Sequence, residues 1–282
     1  MWVACIALTT YIYAGVQKSR IDGSFGKTTR LGAGLIMSKL AIIGGSGITR
    51  LDGLEILRSE VVHTPFGQPS APLTHGIFHG HELVFLPRHG ATHTIPPHRV
   101  NYRANLWALR QVGIRKVVGV AAVGSINTAM APGSIVIPDQ IIDYTYGRDH
   151  TYFDDTLTQV THIDFSSPYC EVLRQELLAS ASTANIKAGA GGTYGATQGP
   201  RLETSMEINR LENDGCDLVG MTGMPEASLA RELEMCYACC AVVANWAAGR
   251  NEGPITMQEI EEHLTEGMKK VYKILSKIFI ST

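Results

Sequence analysis

Charge of either sign is scarce in this chain. Over 282 residues, 24 Lys and Arg stand against 26 Asp and Glu, so 18% is charged and the formal net charge is −2. That balance gives no general attraction for nucleic acid or an anionic membrane, and it points to a small partner. Cysteine is sparse too. The six cysteines (Cys5, Cys170, Cys216, Cys236, Cys239 and Cys240) are scattered, with three crowded into one apolar run. This is unlike the disulfide framework of a small secreted domain and fits a reducing cytoplasm. Cys236 and Cys239 form a CxxC, but no second pair stands at zinc-ribbon spacing and the flanks are apolar, so both are expected to pack in the core. A run long enough to span a bilayer is missing. Trp2–Val16 is apolar but short, and no Lys or Arg precedes it as in a secretory leader.

What is present is a globular balance, 45% hydrophobic, and enough length for one large α/β domain. Met37-Ser38-Lys39 runs straight into the apolar Leu40-Ala41-Ile42-Ile43 and reads like a natural start. Residues 1–36 are therefore expected to be an extension, disordered or not native, and residues 37–282 the single domain. From Leu40 onward, short apolar runs alternate with Gly-, Pro- and polar-rich turns and with helical stretches. This predicts a mixed sheet flanked by helices. Strands are expected at Leu40–Ile43, Leu83–Pro87, Lys116–Ala122, Ser134–Pro138, Asp217–Gly220 and Tyr237–Asn245. Helices are expected at Asn101–Gln111, Glu171–Ala181, Ser205–Asn213, Glu226–Leu233 and Thr256–Ile278. In such sheets ligands gather beyond the carboxyl ends of strands, which here carry Gly-Gly-Ser-Gly, Arg-His-Gly, Val-Gly-Ser and Asn-Trp-Ala.

Each motif has a bland reading beside a chemical one. Gly44-Gly45-Ser46-Gly47 is either a plain tight turn or a place where backbone and hydroxyl approach an anion. It lacks the dinucleotide fingerprint and the Gly-Lys-Ser/Thr of a P-loop. Arg88 and His89 close an apolar strand. There the guanidinium fork suits oxyanions and His89 can donate beside it. A metal site on His89 and His93 needs a helix that Gly90, Pro96 and Pro97 oppose. Glu203 stands near a helix start, as a carboxylate favoured by the helix dipole or as an acceptor for a purine ring N–H. Met221 is core filler or an apolar floor under a sugar, and Thr222 is a possible phosphate donor. Asn245 is an amide, able to donate and accept at once. It can serve a 6-oxo group and a protonated ring nitrogen together, which a carboxylate cannot.

Taken in order, IIGGSG, TPFGQPS, RHGATHTIPPHRVNYRANLWAL, AAVGSI, PGSIVIPDQIID, GPRLET, MTGMPEASLA and CYACCAVVANWA resemble the successive motifs of the trimeric purine nucleoside phosphorylases, in their methylthioadenosine phosphorylase branch, from about Lys39 to Lys277. The resemblance implies a single α/β domain around a mixed, partly barrel-like sheet. It also implies a trimer, hexamers being the variant, with each site near a subunit boundary. It implies phosphate contacts at Ser46, Arg88, His89, Ala122 and Thr222 and a base pocket at Val123, Gly124, Leu202, Glu203 and Asn245. Met221 would lie against ribose, and His162 would reach the neighbouring subunit's 5′ pocket. Catalytic weight would fall on Asn245, Glu203 and His89. The co-substrate would be inorganic phosphate, with no cofactor and no metal.

Departures from related members point to the substrate. Adenine-specific members carry Asp at the positions of Asn245 and Ala247, and here both acids are gone. Glu203 stands where they have a small residue and where 6-oxopurine phosphorylases have Glu. A base pocket built for one donor pattern rejects its mismatch by roughly 10⁴–10⁵-fold. Met257 stands where members that bind a 5′-hydroxyl carry His, and it suits a thioether. The expected reaction is phosphorolysis of S-methyl-5′-thioinosine. The alternatives are a methylthioadenosine phosphorylase with relaxed base recognition, an inosine/guanosine phosphorylase, a hydrolase independent of phosphate, and a binding module without turnover.

Overall fold

The computed structural model describes residues 39–48, 50–154 and 160–279. The expected extension, residues 1–36, lies outside them. The described residues contain eleven strands, β1 (Leu40–Gly44), β2 (Leu54–Glu60), β3 (Leu73–Phe78), β4 (His81–Pro87), β5 (Lys116–Ser125), β6 (Ile135–Val136), β7 (Gln140–Asp143), β8 (Ala188–Gly189), β9 (Thr193–Ala196), β10 (Leu218–Gly220) and β11 (Cys236–Trp246). They also contain five α-helices, α1 (Tyr102–Gln111), α2 (Glu171–Thr183), α3 (Ser205–Asn213), α4 (Gly223–Glu232) and α5 (Met257–Leu275).

β5 is the hub of one sheet. Its first residues pair in parallel with β1, its last two antiparallel with β10, and β11 pairs with it in parallel along its whole length. The path β2-β3-β4-β1-β5-β10-β9-β7 therefore branches at β5 into β11, β6 and β8, which matches the mixed, partly barrel-like sheet expected. The central strands are apolar on both faces because both faces are covered: all five residues of β1 are buried, as are eight consecutive residues of β11, Tyr237 to Ala244. Helix α5 packs along β11, and Gly267 permits the approach, since a Cβ there would lie 2.2 Å from Val242 Cγ1. Its start is set by a capping box, Thr256 accepting from the Glu259 amide while Glu259 accepts from the Thr256 amide.

Several elements differ from expectation. Strands β2, β3, β7, β8 and β9 have no counterpart among those expected. In β2, Leu-Glu-Ile-Leu-Arg-Ser-Glu has no buried residue, so no apolar stripe announces it. In β9, Thr-Tyr-Gly-Ala carries a glycine. Helix α5 starts one residue later and stops three earlier than expected, Thr256 being its N-cap. The cysteines need a larger correction. Cys239 is free and buried as expected, and Cys216 and Cys240 are free and buried too, but Cys236 is bonded to Cys170, 66 residues away, with Cα atoms 5.1 Å apart. Folding sets the start of α2 against the start of β11, where the Cys170 amide also donates to the Tyr237 carbonyl at 2.8 Å. No spacing rule in the sequence shows that juxtaposition.

Candidate active site

The carboxyl ends of β1, β4, β5, β10 and β11 open onto one cavity of about 830 Å³. Ser46, Arg88, His89, Ala122, Val123, Gly124, Leu202, Glu203, Met221, Thr222, Asn245, Ala247 and Met257 all line it. Of the expected site residues only His162 is elsewhere, exposed and outside the lining.

At the floor, the Gly44–Gly47 turn leaves β1 directly, and a Cβ on Gly45 would lie 2.8 Å from Arg88 Nη1. Close approach of backbone to guanidinium is what that glycine permits. Arg88 is 1% exposed. Its Nε and Nη2 each donate to Glu226 at 2.7 Å, and Nη1 donates to the Val120 carbonyl at 2.8 Å. Of its five N–H donors, three are committed, and the Nε–Nη2 edge holds Glu226. One proton on each terminal nitrogen remains for an anion. Burial alone would lower the guanidinium's pKa, but the Glu226 charge and hydrogen bonds raise it well above the usual value, so Arg88 is cationic at every accessible pH. Tyr237 adds a third hydrogen bond to Glu226 at 2.8 Å.

His89 needs a change of role. Its Nδ1 lies 2.8 Å from the Ile95 carbonyl, which can only accept, so Nδ1 carries the proton. Burial, then the neighbouring Arg88 charge, lowers its pKa to about 4, so the ring is neutral near pH 7 and Nε2 presents a lone pair. His89 is thus an acceptor, matched to a P–OH or a sugar hydroxyl rather than to a bare oxyanion. His93 Nε2 stands 3.3 Å from Ser46 Oγ, tying the turn after β4 to the turn after β1. Thr222 is the N-cap of α4, yet its side chain makes no capping bond, while its amide donates to the buried Tyr194 hydroxyl at 3.4 Å.

Toward the other end, Glu203 accepts from Thr197 Oγ1 at 2.7 Å through one oxygen only. Asn245 Nδ2 donates to the Trp246 carbonyl at 2.7 Å, leaving its second N–H and its carbonyl oxygen for a ligand. Ala247 is 2% exposed and offers the cavity only a methyl. Leu202 and Met257, at the rim, are 45% and 66% exposed.

Sequence reasoning missed two buried charges. Glu226 was visible only as an acid in an apolar stretch, Gly-Met-Pro-Glu-Ala-Ser-Leu-Ala. No local pattern marks Arg148, yet it donates to the carbonyls of Thr197, Gln198, Met221 and Met224 and so ties together the two loops behind Glu203 and Thr222. Among the described residues, no three His, Cys, Asp or Glu side chains converge as a metal site, and no helix is long and apolar enough to cross a membrane.

Residues 39–280 match the family model described as the phosphorylase superfamily. The chain is 53% identical over 242 residues, 86% of its own length and 98% of the relative's, to a protein of Pseudomonas syringae pv. tomato named probable S-methyl-5′-thioinosine phosphorylase. It is 45% identical over 240 residues, 85% of its length and 90% of the relative's, to one of Dictyoglomus turgidum named probable 6-oxopurine nucleoside phosphorylase. Among solved structures it is similar to methylthioadenosine phosphorylase from Schistosoma mansoni in complex with adenine. The TM-score is 0.82 and the identity 33%, over 86% of this chain and 91% of that one.

Proposed function

The chain belongs to the phosphorylase superfamily, and from that membership we propose that it cleaves S-methyl-5′-thioinosine with inorganic phosphate, giving hypoxanthine and 5-methylthioribose 1-phosphate. A phosphate oxygen forms the new bond to the anomeric carbon as the bond from that carbon to purine N9 breaks through an oxocarbenium-like transition state. The electron pair leaves on the purine, which takes up a proton from solvent at N7, while the attacking phosphate releases its hydroxyl proton to solvent. Phosphate is held by Ser46, Thr222, the Ala122 backbone and the two free protons of Arg88, with His89 Nε2 accepting from the phosphate's own hydroxyl or from ribose. The base lies between Val123, Gly124, Leu202, Glu203 and Asn245. Glu203 takes the N1–H, and Asn245 takes the N7–H while donating to the 6-oxo group. Met221 floors the ribose and Met257 receives the methylthio group. Catalysis comes from stabilising charge that develops on the leaving base, since an amide has no proton to give at neutral pH. No cofactor enters the scheme.

The observation that carries the reading is the donor–acceptor set at the base end: an amide at 245, a carboxylate at 203 and a methyl at 247 in one cavity. The exposed Leu202 and Met257 at its rim support a trimer in which His162 of a second chain completes the 5′ end. We place the reaction in the cytoplasm on its small-molecule chemistry alone, since the Cys170–Cys236 bond removes the cysteine argument for a reducing compartment. A second reading, cleavage of inosine or guanosine, is favoured by the 6-oxopurine relative. The deciding experiment follows base release from S-methyl-5′-thioinosine, inosine and methylthioadenosine, each with and without phosphate. The reading expects phosphate-dependent release from the first above the others. Preference for inosine moves the assignment to the second reading, preference for methylthioadenosine removes the base assignment, and release without phosphate makes the protein a hydrolase.

A further inference from the structure

The side chain of Asn245 reaches the cavity because β11 carries one extra residue. The strand runs beside β5 through Val243 opposite Val123, and the next pair is Asn245 opposite Gly124, so Ala244 is inserted as a bulge. Side chains alternate along a strand, and an unbulged register would set Ala244 against Gly124 and turn Asn245 to the other face. A bulged residue lacks a regular ladder partner, and a buried carbonyl without a donor is costly. Ala244 is 2% exposed, and its carbonyl receives a hydrogen bond from His263 Nδ1 at 3.1 Å. A carbonyl only accepts, so Nδ1 carries the proton, and it does so whether or not the ring is charged. His263 sits on α5 between Glu262 and Leu264, and it is not among the residues lining the cavity. Leu264 and Thr265 beside it on α5 line the cavity, and its own side chain is joined to the site by the hydrogen bond to the bulge.

We propose that His263 is a positioning residue: by holding the Ala244 carbonyl it fixes the bulge that aims Asn245 at the leaving base. The inference rests on the reading of Asn245 given above and assigns a second, remote determinant to base recognition. Its test is a double-mutant cycle. Values of kcat/KM for S-methyl-5′-thioinosine, KM for phosphate and the urea midpoint are measured for His263→Leu and His263→Asn, in the native background and with Asn245→Ala. Loss of one buried hydrogen bond is expected to lower kcat/KM about tenfold in His263→Leu, with KM for phosphate unchanged. His263→Asn, whose amide nitrogen can occupy the place of Nδ1, should restore most of that loss. In the Asn245→Ala background, His263→Leu should cost about twofold or less, because nothing is left for the bulge to aim. An equal loss in both backgrounds, no loss in His263→Leu, or an Asn variant no better than Leu overturns the proposal. If Asn245→Ala itself leaves base release unchanged, the reading of Asn245 falls and the positioning role with it. If Asn245→Ala is costly and His263→Leu is not, the positioning role alone falls.

Discussion

At the floor of the cavity, Arg88 is 1% exposed and committed through three donors, Glu226 behind it is fully buried, and His89 is pinned through Nδ1. At the rim, Leu202 and Met257 leave about half their surface or more in the open, and Glu203 and Asn245 each keep hydrogen-bonding capacity unspent. The floor is assembled by strand ends of one chain before any ligand arrives, so its cost is met during folding. The rim is left for substrate, and by the trimer reading for a neighbour, to finish. Substitutions at the floor should therefore show in stability as well as in turnover, and those at the rim in turnover and specificity with stability unchanged.

The sharpest break of that contrast is Glu226→Gln. Removing one partner of a fully buried ion pair leaves the other uncompensated, and ~3–5 kcal/mol of stability should go with it in urea unfolding. The KM for phosphate should rise as the guanidinium loses its anchor. A loss within ordinary surface-mutation range would mean that the floor is not preorganised. Asn245→Asp comes next, and here turnover should change while stability holds. A carboxylate facing an electron-rich leaving base should cost at least 10²-fold in kcat/KM for S-methyl-5′-thioinosine, about 3 kcal/mol. Any activity gained should be toward methylthioadenosine.

The pH dependence of stability probes the floor again. His89 has its pKa lowered from 6.5 to about 4, so between those values the unfolded chain binds a proton that the native chain refuses. This contribution is fully present above pH 6.5 and is lost as the pH falls toward 4, amounting to about 2 kcal/mol between pH 7 and pH 5. Comparing urea midpoints at those two pH values in wild type and His89→Gln should show a shallower fall in the variant. Equal slopes would contradict the assigned protonation state. Met257→His, at the rim, should have the smallest effect. It offers a partner to a 5′-hydroxyl and withdraws a thioether contact, so the ratio of kcat/KM for inosine over S-methyl-5′-thioinosine should rise about tenfold with no change in melting temperature.

The same division decided what could be read from the sequence. The turn after β1, the Arg-His end of β4 and the Asn-Trp end of β11 were legible because they end continuous apolar runs, and all three reach the cavity. What supports them was not legible. Glu226 pairs with Arg88 across 138 residues, Arg148 binds carbonyls 49 to 76 residues away, and Cys170 meets Cys236 across 66. Such contacts join segments far apart in the chain that only the assembled fold brings together, which no local pattern encodes. Strand β2 was invisible for a different reason. It lies at the sheet edge with no buried residue, so burial left no periodicity in it. The direction of His89's hydrogen bonding also needed coordinates, because only the position of the Ile95 carbonyl shows which nitrogen holds the proton.

The central claim, that the amide at 245 reads the nucleobase, is most directly tested by a crystal structure with hypoxanthine and phosphate bound. The account predicts Asn245 Oδ1 and Nδ2 within hydrogen-bond distance of purine N7 and O6, and Glu203 at N1. A base bound with Asn245 turned away, its amide still held only by the Trp246 carbonyl, would contradict it.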